Sequence, residues 1–200
     1  LRRIISEESG IIPIAGTTGA GKTKTLHGLI DLIGRERGAD YRVALVTGVG
    51  EYDAKDAVLV TVGDNADHDE ATAHAIKKAA SMGVDAIMID ESRGVATMKA
   101  ALEAAAAGHM VYLSIYANDA WSLPAMLGRS DLVKGFVHQT LVKVLCPDCS
   151  IGLLDGDEDK PIDLMMRMMK LFPGYGYAAV RRQMREGMCL KCGGKGVIGR

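Results

Sequence analysis

Eight residues near the start of the chain, GTTGAGKT at 16–23, leave it few folds to choose from. They match G-x-x-x-x-G-K-[ST], in which glycines let the backbone curl so that its N–H groups face phosphate oxygens. The motif carries weight only with a strand before it and a helix after. Both are legible: IIPIA at 11–15 is a short apolar run, and beyond the loop Leu26, Leu29, Ile30 and Ile33 recur at helical spacing. The expected nucleotide-binding residues are Gly16, Thr17, Thr18, Gly19, Ala20, Gly21, Lys22, Thr23 and Lys24. Lys22 brings a point charge to the β- and γ-phosphates, Thr23 a hydroxyl to Mg²⁺, and the helix its positive N-terminal end. ATP and Mg²⁺ are the implied ligands.

The rest of the chain alternates in the same manner. Strands are expected at 41–48, 56–63, 85–90 and 109–117, and helices at 68–82 and 95–107, the second stopping at Gly108. That order predicts an α/β fold, a mostly parallel sheet with helices on both faces. Pro13 lacks the N–H a central ladder needs, so it is expected at an edge-facing position or a strand start. From about residue 130 the pattern changes: SDLVKGFVHQTLVKVL (130–145) and DLMMRMMKLF (163–172) read as helices, and SIGLLDGDEDKP (150–161) as an exposed acidic loop. The division expected is a core over 1–130 and a C-terminal helical region over 131–200, with a four-cysteine subdomain at about 146–192.

The apolar strand AIMID closes on Asp90 and Glu91. One carboxylate can hold Mg²⁺ or its water, and the other can orient or deprotonate an attacking water. A strand-end acid pair is also common on plain surfaces. Glu91 and Lys22 are therefore the candidate catalytic residues, and Thr23 and Asp90 the candidate magnesium ligands.

Composition removes other classes. With 200 residues, 48% apolar and net charge −1, the chain can bury a real core and lacks the cationic excess of a protein that coats nucleic acid. No apolar run approaches the 18 or so residues of a membrane span, and no signal-peptide pattern opens the chain. It begins at Leu1 rather than Met, so a longer parent is expected. The four cysteines fall into two C-x-x-C pairs, too few for a disulfide scaffold. A lone C-x-x-C fits a zinc half-site, a redox pair or chance; two of them hint at a metal.

In order along the chain, five stretches resemble the C-terminal ATPase domain of the type II secretion and type IV pilus assembly ATPases. GTTGAGKTKTL is similar to the family's Walker A, and GVDAIMIDESRG to its Walker B, P-D-x-h-h-h-G-E-h-R-D. AGHMVYLSIYAND resembles its His box, T-G-H-h-h-h-S-T-L-H-T-N-D. QTLVKVLCPDC resembles Q-R-L-V-R-x-L-C-P-x-C, and CLKCGGKGVIGR resembles C-x-x-C-x-x-x-G-Y-x-G-R. The resemblance implies a RecA-like P-loop NTPase core and a homo-hexamer that moves pilins or pseudopilins. It implies a cytoplasmic place, peripheral to the inner membrane through a platform protein, and no nucleic-acid partner. In that family the paired C-x-x-C hooks mark secretion and assembly motors and are generally absent from retraction motors. Cys146, Cys149, Cys189 and Cys192 would then form one tetrahedral thiolate site for structural Zn²⁺, with 39 residues pinned between the hooks. A cytosolic ATP-dependent protein disfavours stable disulfides. His109 and Asn118 become candidate γ-phosphate sensors, and Arg93 a link from nucleotide state to a neighbouring subunit.

The chain also departs from the family pattern. The Asp box, T-h-E-D-P-h-E-[YF], falls on LVTGVGEY at 45–52, where Thr47 and Gly48 replace its acidic pair and only Glu51 and Tyr52 remain. Tyr116, Ala117 and Asn118 stand in place of H-T-N, and the basic helix before Walker B is reduced to His74, Lys77 and Ser81. Asp90, where the family has glycine, restores an acid that can take over the Mg²⁺ role. These changes support ATP binding better than family-normal hydrolysis. They set beside the motor a second reading, a nucleotide-binding scaffold with weak or lost hydrolysis. Without the family's N-terminal domain, the chain alone is expected to hydrolyse ATP slowly. Met165, Met166, Met168 and Met169 are expected as a core stripe rather than a partner face, and Trp121 and Pro124 as loop packing. Arg200 matches the family's final G-R.

Overall fold

Seven consecutive buried residues, Gly10–Gly16, make the strand β1 that runs into the phosphate loop. Burial on both faces suits a near-continuous apolar run, as in a parallel sheet sandwiched between helices. The computed structural model describes residues 2–48, 56–63, 67–120, 122, 127–128, 131–152, 166, 170, 181–182 and 189–199. They belong to two compact units, Leu1–Thr140 and Leu141–Arg200.

In the first unit a short helix α1 (Arg2–Ile5) precedes β1, and α2 (Lys22–Arg37) follows the loop. Next come β2 (Val43–Thr47), β3 (Val58–Thr61), α3 (His68–Ser81), β4 (Ala86–Ser92), α4 (Val95–Ala106), β5 (Met110–Tyr116) and β6 (Val137–His138). The six strands form one sheet in the order β3-β2-β4-β5-β1-β6, with every pairing parallel. One strand, β5, therefore lies between the strand of the phosphate loop and the strand that carries the acid pair. On one face, Leu26, Leu29, Ile30 and Ile33 of α2 pack with Ile12, Ile14, Leu45, Met88 and Tyr112. On the other, Ile76 of α3 and Ala101 of α4 pack with Ile11, Val46, Ile87, Ile89 and Leu113. Each buried Leu or Ile contributes about 1.5–3 kcal/mol relative to an exposed one. No described helix is long and apolar enough to cross a membrane.

Pro13 sits inside β1, not at its start. On its neighbours' pattern its missing N–H faces away from β5. Ile11 donates to Leu132 and Ala15 accepts from Gln139, so the odd positions of β1 face β6. β6 is an edge strand of only two residues. A proline is tolerated where the ladder is this short.

The helix expected over 130–145 does not form. Val133 makes a bridge to Ile11, and Val137 and His138 pair with Ile14 and Ala15. The open edge of β1 offers a row of backbone donors and acceptors, and β-branched valines fit a pleated edge better than a helix.

The start of α4 shows how two neighbouring helices are tied. Its N-cap position is Gly94, which has no side chain to cap with. Asp69 of α3 does it instead, accepting from the Ala96 and Thr97 N–H groups at 2.9 Å each. A Cβ on residue 94 would collide with that carboxylate. Desolvation pushes the Asp69 pKa up, but hydrogen bonds from Thr97 and Ala96 outweigh it and hold the carboxyl below its usual range. A depressed pKa in the folded chain means stability that is present above the ordinary value of about 3.9 and lost as pH falls through the folded value. Asp69→Ala is expected to cost about 1–2 kcal/mol at neutral pH, as for loss of a helix cap. Urea titration would show a lowered midpoint at pH 7 that converges on the parent's in acid. Equal midpoints at pH 7 would remove the cap from the account.

In the second unit, β7 (Val144–Leu145) pairs antiparallel with β10 (Val197–Gly199), and β8 (Ile151–Gly152) with β9 (Arg181–Arg182). The methionine-rich helix expected at 163–172 lies almost wholly outside the described residues; Met166, which is described, is 64% exposed. Glu51, Tyr52, Trp121, Pro124 and Arg200 also lie outside them.

Candidate functional site

The phosphate loop sits at the C-terminal edge of the sheet. Between the end of β1 and the start of α2, Gly19 (φ 76) and Gly21 (φ 87) take the left-handed conformation that glycine enters without a Cβ clash. Inside this turn the Ala20 N–H donates to the Thr17 carbonyl at 3.1 Å. Lys22 Nζ folds back over the loop and donates to the Gly16 and Thr17 carbonyls, 2.9 Å each. The ammonium is thus parked at the mouth of an anion site, held by neutral acceptors that a phosphate would outcompete.

The acid pair sits at a fault in the sheet. β4 and β5 run in step from Ala86 opposite Met110 to Ile89 opposite Leu113, then slip, so that Ser92 faces Ile115. β4 carries one extra residue there, a β-bulge. In an unbroken strand Asp90 and Glu91 would point to opposite faces. Here Asp90, Glu91 and Ser92 all line one cleft of about 1380 Å³ that Thr18, Gly19, Lys22 and Thr23 line as well.

Within that cleft the two acids differ. Asp90 Oδ1 is buried and, among the described residues, has no hydrogen-bond partner. Its other oxygen lies 3.5 Å from the Thr47 hydroxyl at the end of β2. A buried carboxylate oxygen left alone costs about 1–3 kcal/mol or more, and a cation or its water would relieve that cost. Glu91 is exposed and pairs with Arg93 at 2.6 Å. With side chains 67% and 51% exposed, this pair is worth about 0–1 kcal/mol and can open readily.

Of the three candidate sensors, the structure separates one from the others. His109 precedes β5, at the N-terminal edge of the sheet, and its Nδ1 lies 2.8 Å from the Val84 carbonyl. The seven residues of β5, at about 3.3 Å each, put roughly 20 Å between it and the phosphate loop. His109 is a strand-end histidine that meets a backbone carbonyl, and the structure does not bring it to the phosphate loop. Asn118 lies just past β5 at the loop's own edge and accepts from the Tyr116 hydroxyl at 2.9 Å. Arg93 lines the cleft.

Gln139 and Thr47 reach the site although sequence reasoning assigned neither a role there. Gln139 contacts Ala20, 119 positions away, a distance that only the pairing of β6 on β1 closes. Thr47, at the end of β2, stands out in the sequence only as a replacement for an acid of the family's Asp box.

In the second unit Cys146, Cys149, Cys189 and Cys192 bring their sulfurs within 4.8 Å of one another. Two of the pairs, Cys146–Cys189 at 3.8 Å and Cys149–Cys192 at 3.6 Å, join one hook to the other. A disulfide needs about 2.05 Å, and all four thiols are free. Four sulfurs at about 2.3 Å from a tetrahedral zinc would stand about 3.8 Å apart, so the spacing fits one ion. Desolvation and hydrogen bonds from the other three sulfurs push the Cys149 thiol up to about 12. Desolvation raises Cys192 too, but the Gly196 N–H at 3.2 Å and neighbouring thiols hold it below its usual value. Sulfurs crowded this closely resist ionising together unless a cation shares their charge. The exposed Lys191–Asp148 pair, 2.9 Å, ties one C-x-x-C hook to the other.

Comparison with known proteins gives a consistent result. A family model described as type II/IV secretion system protein matches residues 1–200. The type II secretion system ATPase E of Vibrio cholerae is 29% identical over 209 residues, covering 100% of this chain and 38% of that protein. The type IV pilus assembly ATPase PilB of Thermus thermophilus is 28% identical, covering 100% of this chain and 22% of that protein. Type II secretion system protein HxcR of Pseudomonas aeruginosa is 31% identical over 76% of this chain and 33% of its own length. The chain thus spans between about a fifth and two fifths of the length of these curated relatives. Among solved structures, the pilus retraction motor PilT with bound ADP superposes with a TM-score of 0.59 at 19% identity, over 86% of this chain and 55% of that one. The Legionella pneumophila ATPase DotB gives 0.58 at 21%, over 84% and 54%. At those identities the structural likeness establishes the fold.

Proposed function

Because the chain belongs to the type II/IV secretion system protein family, matched over residues 1–200, we propose that it is the ATP-driven motor portion of a longer secretion or pilus-assembly ATPase. The observation that carries this reading is the single cleft lined both by the phosphate loop and by the bulged Asp90–Glu91 pair. In this reading Lys22 leaves the Gly16 and Thr17 carbonyls for the γ-phosphate and stabilises the charge that develops on transfer. The Thr23 hydroxyl and Asp90 hold Mg²⁺, and the partnerless oxygen of Asp90 suits a cation. Bound there, Mg²⁺ would neutralise charge on the phosphate oxygens. Glu91 exchanges Arg93 for the attacking water, orients it and accepts its proton. The four cysteines hold a structural Zn²⁺.

Relatives named for type II secretion and type IV pilus assembly support the movement of protein subunits as the work performed. A homo-hexamer on the cytoplasmic side of the inner membrane, docked on a platform protein there, belongs to the same reading. One observation favours a second: Thr47, a hydroxyl rather than a carboxylate, stands beside Asp90. It motivates a nucleotide-binding scaffold that hydrolyses little. Titration with Mg²⁺-ATP, paired with a hydrolysis assay on the parent and on Lys22→Ala, separates them. The motor reading expects binding and turnover in the parent, with turnover lost and affinity lowered about tenfold or more in the variant. Tight binding with no turnover would favour the scaffold, and no binding by the parent would overturn both.

A further inference from the structure

Gln139, immediately after β6, braces the phosphate loop from outside. Its backbone N–H donates to the Ala15 carbonyl at 2.9 Å. Its side-chain Nε2 donates to the Ala20 carbonyl at 2.7 Å, and its Oε1 accepts from the Thr25 hydroxyl at 2.8 Å. Its own carbonyl oxygen occupies the space that a Cβ on Gly16 would need. One residue therefore touches the last strand position before the loop, the loop's first glycine, its inner turn and the first turn of α2.

The direction of these bonds has a consequence for anions. A trans peptide points its C=O and its N–H opposite ways. With the Ala20 carbonyl turned outward to Gln139, the Gly21 N–H of the same peptide turns away from Gln139 and into the loop. The orientation of the Gln139 amide is itself fixed. Flipped, its oxygen would face the Ala20 carbonyl, acceptor against acceptor.

We propose that Gln139 is a positioning residue for the nucleotide. It fixes the Ala20–Gly21 peptide so that the phosphate cradle exists before phosphate arrives, and it acts on binding rather than on bond breaking. The proposal rests on reading the loop as the ATP site. Preorganisation of this kind serves ground state and transition state alike, so it shows in KM and leaves kcat nearly unmoved.

The test compares the parent chain with Gln139→Glu and Gln139→Ala, using Mg²⁺-ATP as the probe at a temperature where urea titration shows all three folded. Gln139→Glu keeps the length and the Thr25 contact but sets a carboxylate, which cannot donate, against the Ala20 carbonyl. Both variants are expected to raise the Kd for Mg²⁺-ATP about tenfold or more, as for loss of one hydrogen bond with a buried group left unpaired. Where turnover is measurable, KM rises and kcat stays within about threefold. The deficit of Gln139→Glu relative to the parent is also expected to shrink as pH is lowered from 8 toward 5. A protonated carboxyl, with an ordinary pKa of about 4.3, regains a donor for Ala20. A merely structural role predicts a lower urea midpoint without nucleotide, unchanged Kd in the folded variants and no such rescue. Binding by both variants within about twofold of the parent would therefore overturn the proposal. If Gln139→Ala does not fold, Gln139→Glu decides alone. A parent that binds no Mg²⁺-ATP would overturn the reading of the loop itself, an outcome visible before any variant is compared.

Discussion

Glu91→Gln lowers Mg²⁺-dependent ATP hydrolysis by about 10²–10⁴-fold, the range expected when a general base is removed. It leaves ATP affinity within about threefold of the parent's, because a water-activating group adds little to ground-state binding. The fold should not suffer. Glu91 is exposed, and the pair it loses with Arg93 is a surface pair of small worth. The measurement is single-turnover hydrolysis beside a nucleotide titration, on the same preparations. A variant that hydrolyses as fast as its parent removes Glu91 from the chemistry and shifts attention to Asp90, the other acid on the bulge. A parent that binds nucleotide but turns over no faster than the variant decides for the scaffold.

Loss of the metal is expected to have the largest structural effect. Four thiols lie gathered within 4.8 Å, and structural zinc supplies about 10–16 kcal/mol to such sites. Purified under reducing conditions, the chain should carry one zinc ion. Chelation, or Cys189→Ser, should expose 141–200 to proteolysis and fast amide exchange while β1 to β6 stay protected. The two units are separately compact, which is why the damage should stop near residue 140. Metal-free protein with reduced thiols and unchanged exchange over 141–200 would dismiss the ion.

The strands and helices that place the phosphate loop were legible because their signals are local. Leu26, Leu29, Ile30 and Ile33 mark the buried face of α2 by spacing alone, and all four are buried. The cysteine cluster was legible because two C-x-x-C pairs hint at a metal and the family resemblance joins them into one site. What the sequence did not disclose depends on tertiary pairing. The segment 130–145 has helical periodicity, yet it is drawn to the free edge of β1, and with it goes Gln139. His109 and Asn118 lie at the two ends of one strand, and only one end holds the loop; sequence places both next to β5 but does not tell which edge is which. Asp69 caps a helix whose N-cap position, Gly94, lies 25 positions later, a service no capping pattern within α4 could reveal.

The bulge in β4 makes residue count, more than residue identity, the guardian of this cleft. Asp90 and Glu91 stand where three residues of β4, 90 to 92, span what two residues of β5 span. Remove any one residue between Ile89 and Arg93 and the two strands can zip without a fault. Loss of Ser92 would spare both acids, yet an unbroken strand would aim neighbouring side chains at opposite faces of the sheet. Seen this way, the stretch is a frame rather than a list of groups. It accepts a changed letter at Ser92 more easily than a missing one, and a gap of a single position there would silence the cleft as surely as losing a carboxylate.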